Sequence, residues 1–279
     1  MDLSEHTSLA GIAEAIAVVQ AAALEVGADI FVTGAFARDL WLTFGHDIDV
    51  ERETRDLDFG VECADWETFE KIARLLESRG LDRDERKQER LRHPNGTEID
   101  LIPFGGVERP DRTIAWPPGD NPVMNLVGFA EVVRAAVPVT LPGVVTVQVI
   151  PLPALALLKL LAWEDRRLTE ARDKDAQDLV LIAKHYLDVR EPAISIEERA
   201  ELVERYQFKD EFAGAELLGS DMAAFGSEAV RIAVERILER EGGEAGSLEL
   251  ARVVSRYDPV AALGFVAALL RGFAEKRGA

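Results

Sequence analysis

The rhythm of apolar and polar positions changes once along the chain. Up to about residue 150, short apolar runs alternate with helical repeats, and beyond it nearly every segment repeats with helical period. Residues 8–26 carry Leu9, Ile12, Ile16 and Val19 on one helical stripe, with Gly27 as a stop signal. Asp29 to Thr33 reads as a short strand. Gly34 follows, then a helix over 35–44 with Phe36, Leu40 and Phe44 at i, i+4 and i+8. Residues 45–54 are polar and predict a loop. Leu57 to Val61 predicts the next strand, and Trp66 to Arg79 a helix with Phe69, Ile72, Ala73 and Leu76 inward. Two hairpins are expected. The first spans 86–104 and turns tightly at Asn95-Gly96, because both residues tolerate positive φ. The second joins Val137–Leu141 to Val144–Ile150 through Pro142-Gly143. A Pro-rich ordered loop over 107–123 and a helix near 128–136 lie between them. After Pro151 and Pro153 the strand signals stop. The pattern predicts an α/β (α+β) domain over 1–150 and an all-α domain over 151–279, with no internal repeat.

The chain has 279 residues, 48% of them hydrophobic, so a sizeable core is available. The net charge of −19 argues against bulk electrostatic attraction to nucleic acid, which rests on Lys and Arg neutralising phosphates. A nucleic-acid substrate would need a local basic groove. A divalent-metal site would reconcile an acidic chain with phosphate chemistry, since the metal carries the positive charge. The single cysteine, Cys63, forms no intrachain disulfide and suggests a reducing, cytoplasmic setting. The apolar run from Leu9 to Leu24 contains Glu14 and Gln20 and follows no basic segment, so it reads as a buried helix rather than a signal peptide or membrane span. His6, His46, His93 and His185 lack ligand spacing, which argues against zinc, and Cys63 reads as structural.

Chemistry concentrates at a few positions. Asp56 and Asp58 are two apart in a strand, so they share a face, with Leu57 and Phe59 on the other. Two carboxylates that close repel unless a cation or proton lies between them. Asp47 and Asp49 have the same spacing but sit in a polar stretch and read as loop. Asp100 is embedded among Ile99, Leu101 and Ile102, so it must be paired, metal-bound or protonated. Glu98 shares its face as a weaker ligand candidate. Three carboxylates on neighbouring strands can hold two Mg²⁺ ions roughly 3.5–4 Å apart. Gly34, between a strand and a helix, would let backbone amides approach a phosphate, although a tight turn alone asks for the same glycine. Lys159 stands among apolar residues, either snorkelling or aimed at a triphosphate. Asp175 and Asp178 are three apart and share a helix face beside Lys174, which is also ordinary chemistry for a helix start. The charged run Asp82 to Arg92 is either a solvated hairpin arm or an edge for an RNA acceptor. Arg38-Asp39 reads as a structural pair or a helix-face charge.

Taken together, Gly34-Ala35-Phe36-Ala37-Arg38-Asp39, Asp56-Leu57-Asp58-Phe59 and Glu98-Ile99-Asp100-Leu101 resemble the nucleotidyltransferase superfamily that includes DNA polymerase beta. With Lys159 and the Lys174–Asp178 segment, the chain looks more narrowly like the AbiEii/AbiGii-type nucleotidyltransferase toxins of bacterial toxin–antitoxin and phage-defence systems. The resemblance covers about residues 25–185. It implies a small mixed sheet flanked by helices, then a helical domain closing the active-site cleft. It implies that Asp56 and Asp58 bind Mg²⁺ or Mn²⁺, with Asp100 as third carboxylate, either metal ligand or general base. Lys159 would contact nucleotide phosphates, Gly34, Ala35 and Lys174 would line the nucleotide site, and Asp175 or Asp178 would complete it. The implied reaction moves an NMP from an NTP to a hydroxyl of a tRNA or RNA 3′ end or of a protein, with a separate antitoxin as partner. Ala35 departs from the usual Ser or Gly, which removes a hydroxyl contact but leaves the amide. That departure favours a rival reading, a non-catalytic nucleotide-binding or protein-interaction module. A metal phosphohydrolase is a third reading, weakened by the lack of a His-rich ligand set. The 22 positions from Gly34 to Asp56 are long for the superfamily, and the 45–54 loop accounts for the excess.

Overall fold

A computed structural model describes residues 1–50, 54, 56–117, 119, 123–166, 172–190, 193–243 and 247–277. It divides into two compact units, Met1–Pro151 and Leu152–Ala279. The first holds α1 (Ala10–Val26), β1 (Ile30–Thr33), α2 (Gly34–Asp39), β2 (Asp56–Cys63), α3 (Trp66–Ser78), β3 (Asp82–Arg83), β4 (Arg90–Arg92) and β5 (Glu98–Gly105). It continues with β6 (Thr113–Ala115), β7 (Val123–Asn125), α4 (Phe129–Val132), β8 (Val137–Leu141) and β9 (Val145–Val149). The second unit is helical: α5 (Leu152–Asp165), α6 (Arg172–Val189), α7 (Ile196–Arg205), α8 (Asp210–Met222), α9 (Glu228–Gly242), α10 (Glu249–Val254) and α11 (Pro259–Arg277).

Seven strands form one mixed sheet in the order β3-β4-β5-β2-β1-β9-β8. β2 runs parallel to β5 over eight paired positions, and β1 is parallel to β9; the other pairs are antiparallel. Alternation along the strands gives the sheet two unlike faces. One carries Val32, Leu57, Phe59, Val61, Cys63, Leu91, Ile99 and Leu101, all fully buried. Each such apolar side chain contributes about 1.5–3 kcal/mol by leaving water. The other face begins apolar, where Phe129 of α4 meets the rings of Phe31 and Phe104. It turns acidic toward Asp58 and Asp100. Burial beside Asp65 and Glu62 pushes the Cys63 thiol up to about 12, as befits a structural thiol.

α1 and α3 pack against each other and against β9 and β2 respectively. Residues Thr7–Val26 are long and apolar enough to cross a membrane. In this unit, however, Ala13, Ile16, Val19, Ala22 and Ala23 form a buried stripe, as expected of a core helix. α3 starts on Asp65, whose carboxylate accepts from the Thr68 amide at 2.8 Å.

Three local expectations need correction. The helix after Gly34 is not uniform: α2 gives way to a π-helical turn over Leu40–Phe44. The β4–β5 hairpin does not turn on a two-residue Asn95-Gly96 loop. Five residues separate Arg92 from Glu98, and the chain reverses where the Gly96 amide donates to the His93 carbonyl at 2.8 Å. Pro94 presets the second position of that turn, and Gly96 alone takes positive φ, 90°. Asn95 uses its side chain instead, donating to the Gly11 carbonyl of α1 and accepting from the Thr97 amide. The Pro-rich 107–123 segment is not all loop, since Thr113–Ala115 pairs with Val123–Asn125. In the 45–54 stretch, residues 47–50 are irregular as expected, while 51–53 lie outside the described residues.

In the second unit α8 packs closely on α11 and α6. The approach of α8 to α11 is backbone-close: a Cβ on Gly272 would fall 1.8 Å from the Glu216 carbonyl oxygen, and one on Gly219 2.1 Å from that of Leu269. Several buried polar groups there find partners within the unit. Glu216 binds Arg205 and Tyr206, Tyr186 donates to Asp221 at 2.7 Å, and the fully buried Glu241 accepts from Ser247 and the Leu250 amide. A methyl group at Gly272 would force α8 and α11 apart. Gly272→Ala is therefore expected to cost about 1–3 kcal/mol of stability, read from chemical denaturation.

Candidate active site

Sequence-distant polar residues meet on the acidic face of the sheet because of strand register. Thr33 of β1 pairs with Asp58 of β2, Asp58 with Asp100 of β5, and Asp100 with Arg90 of β4. Paired residues project to the same side, so these four form one row across the sheet. The next row runs Asp56, Glu98, Arg92. Four carboxylates and two guanidiniums thus share a patch two residues deep.

Gly34 sets one edge of the patch. It takes a left-handed conformation, φ 68°, between the end of β1 and the first turn of α2. A Cβ there would stand 1.9 Å from Asp58 Oδ2. Only glycine permits both the backbone angle and the approach. Ala35 follows, half-buried. Buried Asp39, at the end of α2, accepts from Arg38 Nε at 2.8 Å and from the Thr54 amide at 3.2 Å, which ties this helix to the chain entering β2.

Arg90 sets the opposite edge. Its Nε donates to Asp100 Oδ1 at 2.6 Å and its Nη2 to Asp100 Oδ2 at 2.7 Å, a bidentate pair. Its remaining nitrogen, Nη1, contacts Glu98, and Arg92 donates to the other Glu98 oxygen at 2.9 Å. The Arg90 and Asp100 side chains are only 15% and 17% exposed, so the pair is largely shielded from solvent. The hydrogen bond to Asp100 is the main reason the Arg90 guanidinium holds its proton even more firmly than usual, with the charges of Asp100, Glu98 and Asp56 adding to it. Arg92, then Arg90, holds the Glu98 carboxyl below its ordinary range.

A second ionic centre lies in the helical unit. Lys159 of α5 places Nζ 2.6 Å from Asp178 Oδ2 and 3.3 Å from Asp175 Oδ1, both on α6. Arg166 reaches the other Asp175 oxygen at 2.6 Å. The sequence left Asp175 and Asp178 as alternatives, and both face Lys159. Lys174 is exposed on α6 and stands outside this cluster.

Residues 19–251 match a family model described as nucleotidyl transferase AbiEii toxin, Type IV TA system. The chain belongs to the AbiEii nucleotidyltransferase toxin family. A comparison with curated proteins finds no match. Among solved structures, the chain is similar to the antibiotic-resistance factor ANT(2'')-Ia, at 13% identity and TM-score 0.35, covering 71% of this chain and 94% of that one. It is also similar to an antigenic nucleotidyltransferase-like protein from Paracoccidioides brasiliensis, at 16% identity and TM-score 0.36, covering 69% and 88%. Both likenesses are loose, and the family assignment stands on the sequence match. The chain is thus a nucleotidyltransferase.

This AbiEii-family site fits the expected divalent metal unequally. Asp56 and Asp58 supply hard oxygen donors from one strand face, and Gly34 leaves the space at Asp58 that a side chain would fill. Asp100 differs, because Arg90 engages both its oxygens. Among the described residues no group of three or more His, Cys, Asp or Glu side chains is arranged to hold a metal ion. In this structure the Asp100 carboxylate is engaged by the Arg90 guanidinium. Arg90 is also the residue that the sequence reading missed. It fell inside the run read as solvated arm or RNA edge, whereas it pairs inward. Arg90 and Arg92 two apart, facing Glu98 and Asp100 two apart across an expected hairpin, was the available signal.

Gly34→Ala is expected to lose about 1–2 kcal/mol from the left-handed backbone alone, measured by denaturation. It is also expected to lose nucleotidyl transfer, because Asp58 must move. Retained transfer at wild-type rate would show that the Gly34–Asp58 approach is not needed.

Proposed function

We propose that this nucleotidyltransferase moves an NMP from an NTP onto a hydroxyl of an RNA or protein acceptor, releasing pyrophosphate. The observation that carries the reading is the seat of Asp58, beside Asp56 on β2 and hard against the Gly34 turn. In the reaction the acceptor oxygen bonds to the α-phosphorus, the bond from that phosphorus to the bridging oxygen breaks, and the hydroxyl proton leaves. Asp56 and Asp58 are the residues that would hold Mg²⁺ or Mn²⁺. The ion, when bound, would polarise the triphosphate and neutralise charge on the departing pyrophosphate. The backbone around Gly34 and Ala35 would face the nucleotide phosphates, with no hydroxyl at position 35. Lys159, steadied by Asp175 and Asp178, takes the phosphate-contacting role that the family resemblance gives it, and Lys174 remains a candidate nucleotide contact.

Residues 1–150 are proposed as the catalytic domain and 151–279 as the helical domain. The family description, a toxin of a Type IV toxin–antitoxin system, supports a separate antitoxin as partner; a role in phage defence is part of the same proposal. Cytoplasmic residence follows from the proposed NTP and RNA or protein substrates. Catalysis in this scheme is positioning and charge neutralisation.

Incubation with each α-³²P-labelled NTP, Mg²⁺, and total RNA or protein is expected to label a macromolecule. Asp58→Asn should lower that labelling by at least a hundredfold without loss of fold by circular dichroism. Absence of transfer with every NTP and acceptor, or equal transfer by Asp58→Asn, would contradict the proposal.

A further inference from the structure

We infer that Asp39 is a positioning residue for nucleotidyl transfer, holding the start of β2 so that Asp56 keeps its place beside Asp58. The inference rests on the reading of Asp56 and Asp58 as the reacting site and adds what keeps one of them in line. β2 is unevenly supported. β5 pairs with it from Asp56 to Cys63, whereas β1 reaches only from Asp58 to Val61. On the β1 side, Asp56 and Leu57 lie beyond the last paired position, because the chain leaves β1 at Thr33 and enters α2 at Gly34. α2 takes over there. Its last residue, Asp39, accepts the Thr54 amide on Oδ2 at 3.2 Å, and Thr54 accepts the Asp56 amide on Oγ1 at 3.2 Å. Two hydrogen bonds thus join the end of α2 to the backbone of Asp56. Arg38 fixes the other Asp39 oxygen, donating to Oδ1 from Nε at 2.8 Å and from Nη2 at 2.5 Å. The two side chains are each 4% exposed. A buried ion pair adds little net stability over apolar side chains of similar volume, so its use here is geometric. The winding becomes π-helical directly after Asp39, a rare form that recurs at functional sites. The same short helix begins at Gly34, against Asp58, and ends on Asp39, tied to Asp56. One element therefore sets the position of both β2 carboxylates.

Transfer kinetics and amide hydrogen exchange of the full chain test this together. Arg38→Met/Asp39→Leu fills the same space with apolar side chains and removes the acceptor for the Thr54 amide. It is expected to fold by circular dichroism and to lower kcat for NMP transfer at least tenfold. KM for the NTP should change less than threefold, because Gly34, Ala35 and Lys159 are untouched. Exchange of amides 54–57 should quicken at least tenfold relative to the rest of β2. Arg38→Met/Asp39→Asn, which restores a neutral acceptor, is expected to bring kcat back to within threefold of wild type. Should neither double variant fold, Thr54→Val decides, since it keeps the shape and loses the acceptor for the Asp56 amide. It is expected to lower kcat at least fivefold, with Thr54→Ser within twofold of wild type; wild-type kcat in Thr54→Val would overturn the inference. A folded Arg38→Met/Asp39→Leu with wild-type kcat, beside abolished transfer in Asp58→Asn, would overturn this inference alone. Exchange that quickens equally across the whole domain would mark a merely structural pair and overturn it too. No transfer by wild type, or wild-type transfer by Asp58→Asn, would remove the site reading and this inference with it.

Discussion

The parallel pairing of β2 with β5 is the constraint on which the site depends. Eight consecutive positions, from Asp56 opposite Glu98 to Cys63 opposite Gly105, are locked by the apolar set on the buried face. A slip of β2 by one residue would bring Asp58 into the core and Leu57 into water, so the slipped register is heavily disfavoured. The energy that fixes the carboxylates therefore comes from Leu57, Phe59, Val61, Ile99 and Leu101, none of which touches the patch. Function here is placed by hydrophobic burial on the opposite side of the same strands.

The two edges of the patch use different physics. At Gly34 the device is steric, with backbone conformation and the absence of a Cβ letting Asp58 lie against the strand–helix turn. At Arg90 it is electrostatic, with a partly desolvated guanidinium gathering Asp100 and Glu98. The helical unit repeats the second device with Lys159, Asp175 and Asp178. Acids whose charge would be costly to bury alone are held in each case by a cation from a neighbouring element.

Much of this was legible in sequence because it is periodic. The two-residue alternation at Asp56–Leu57–Asp58–Phe59 gave both the strand and its two faces, and helical spacing gave α1 and α3. The change of rhythm after Pro151 falls where the chain passes into its helical unit. Misreadings arose where tertiary partners decide. Asn95-Gly96 carries the signal of a tight hairpin, but Pro94 and the contact of Asn95 with α1 select a longer turn. Arg90 looked like one basic residue in a solvated run, because the sequence shows its neighbours and not what stands opposite. Asp175 and Asp178 could not be ranked in sequence because the Lys159 ammonium pairs with both at once.

Anomalous diffraction from crystals of the full chain soaked with Mn²⁺ and a non-hydrolysable NTP tests the central claim most directly. The account predicts manganese within about 2.1 Å of carboxylate oxygens of Asp56 and Asp58. Manganese bound elsewhere, with Asp56 and Asp58 making no contact to it, would contradict the account.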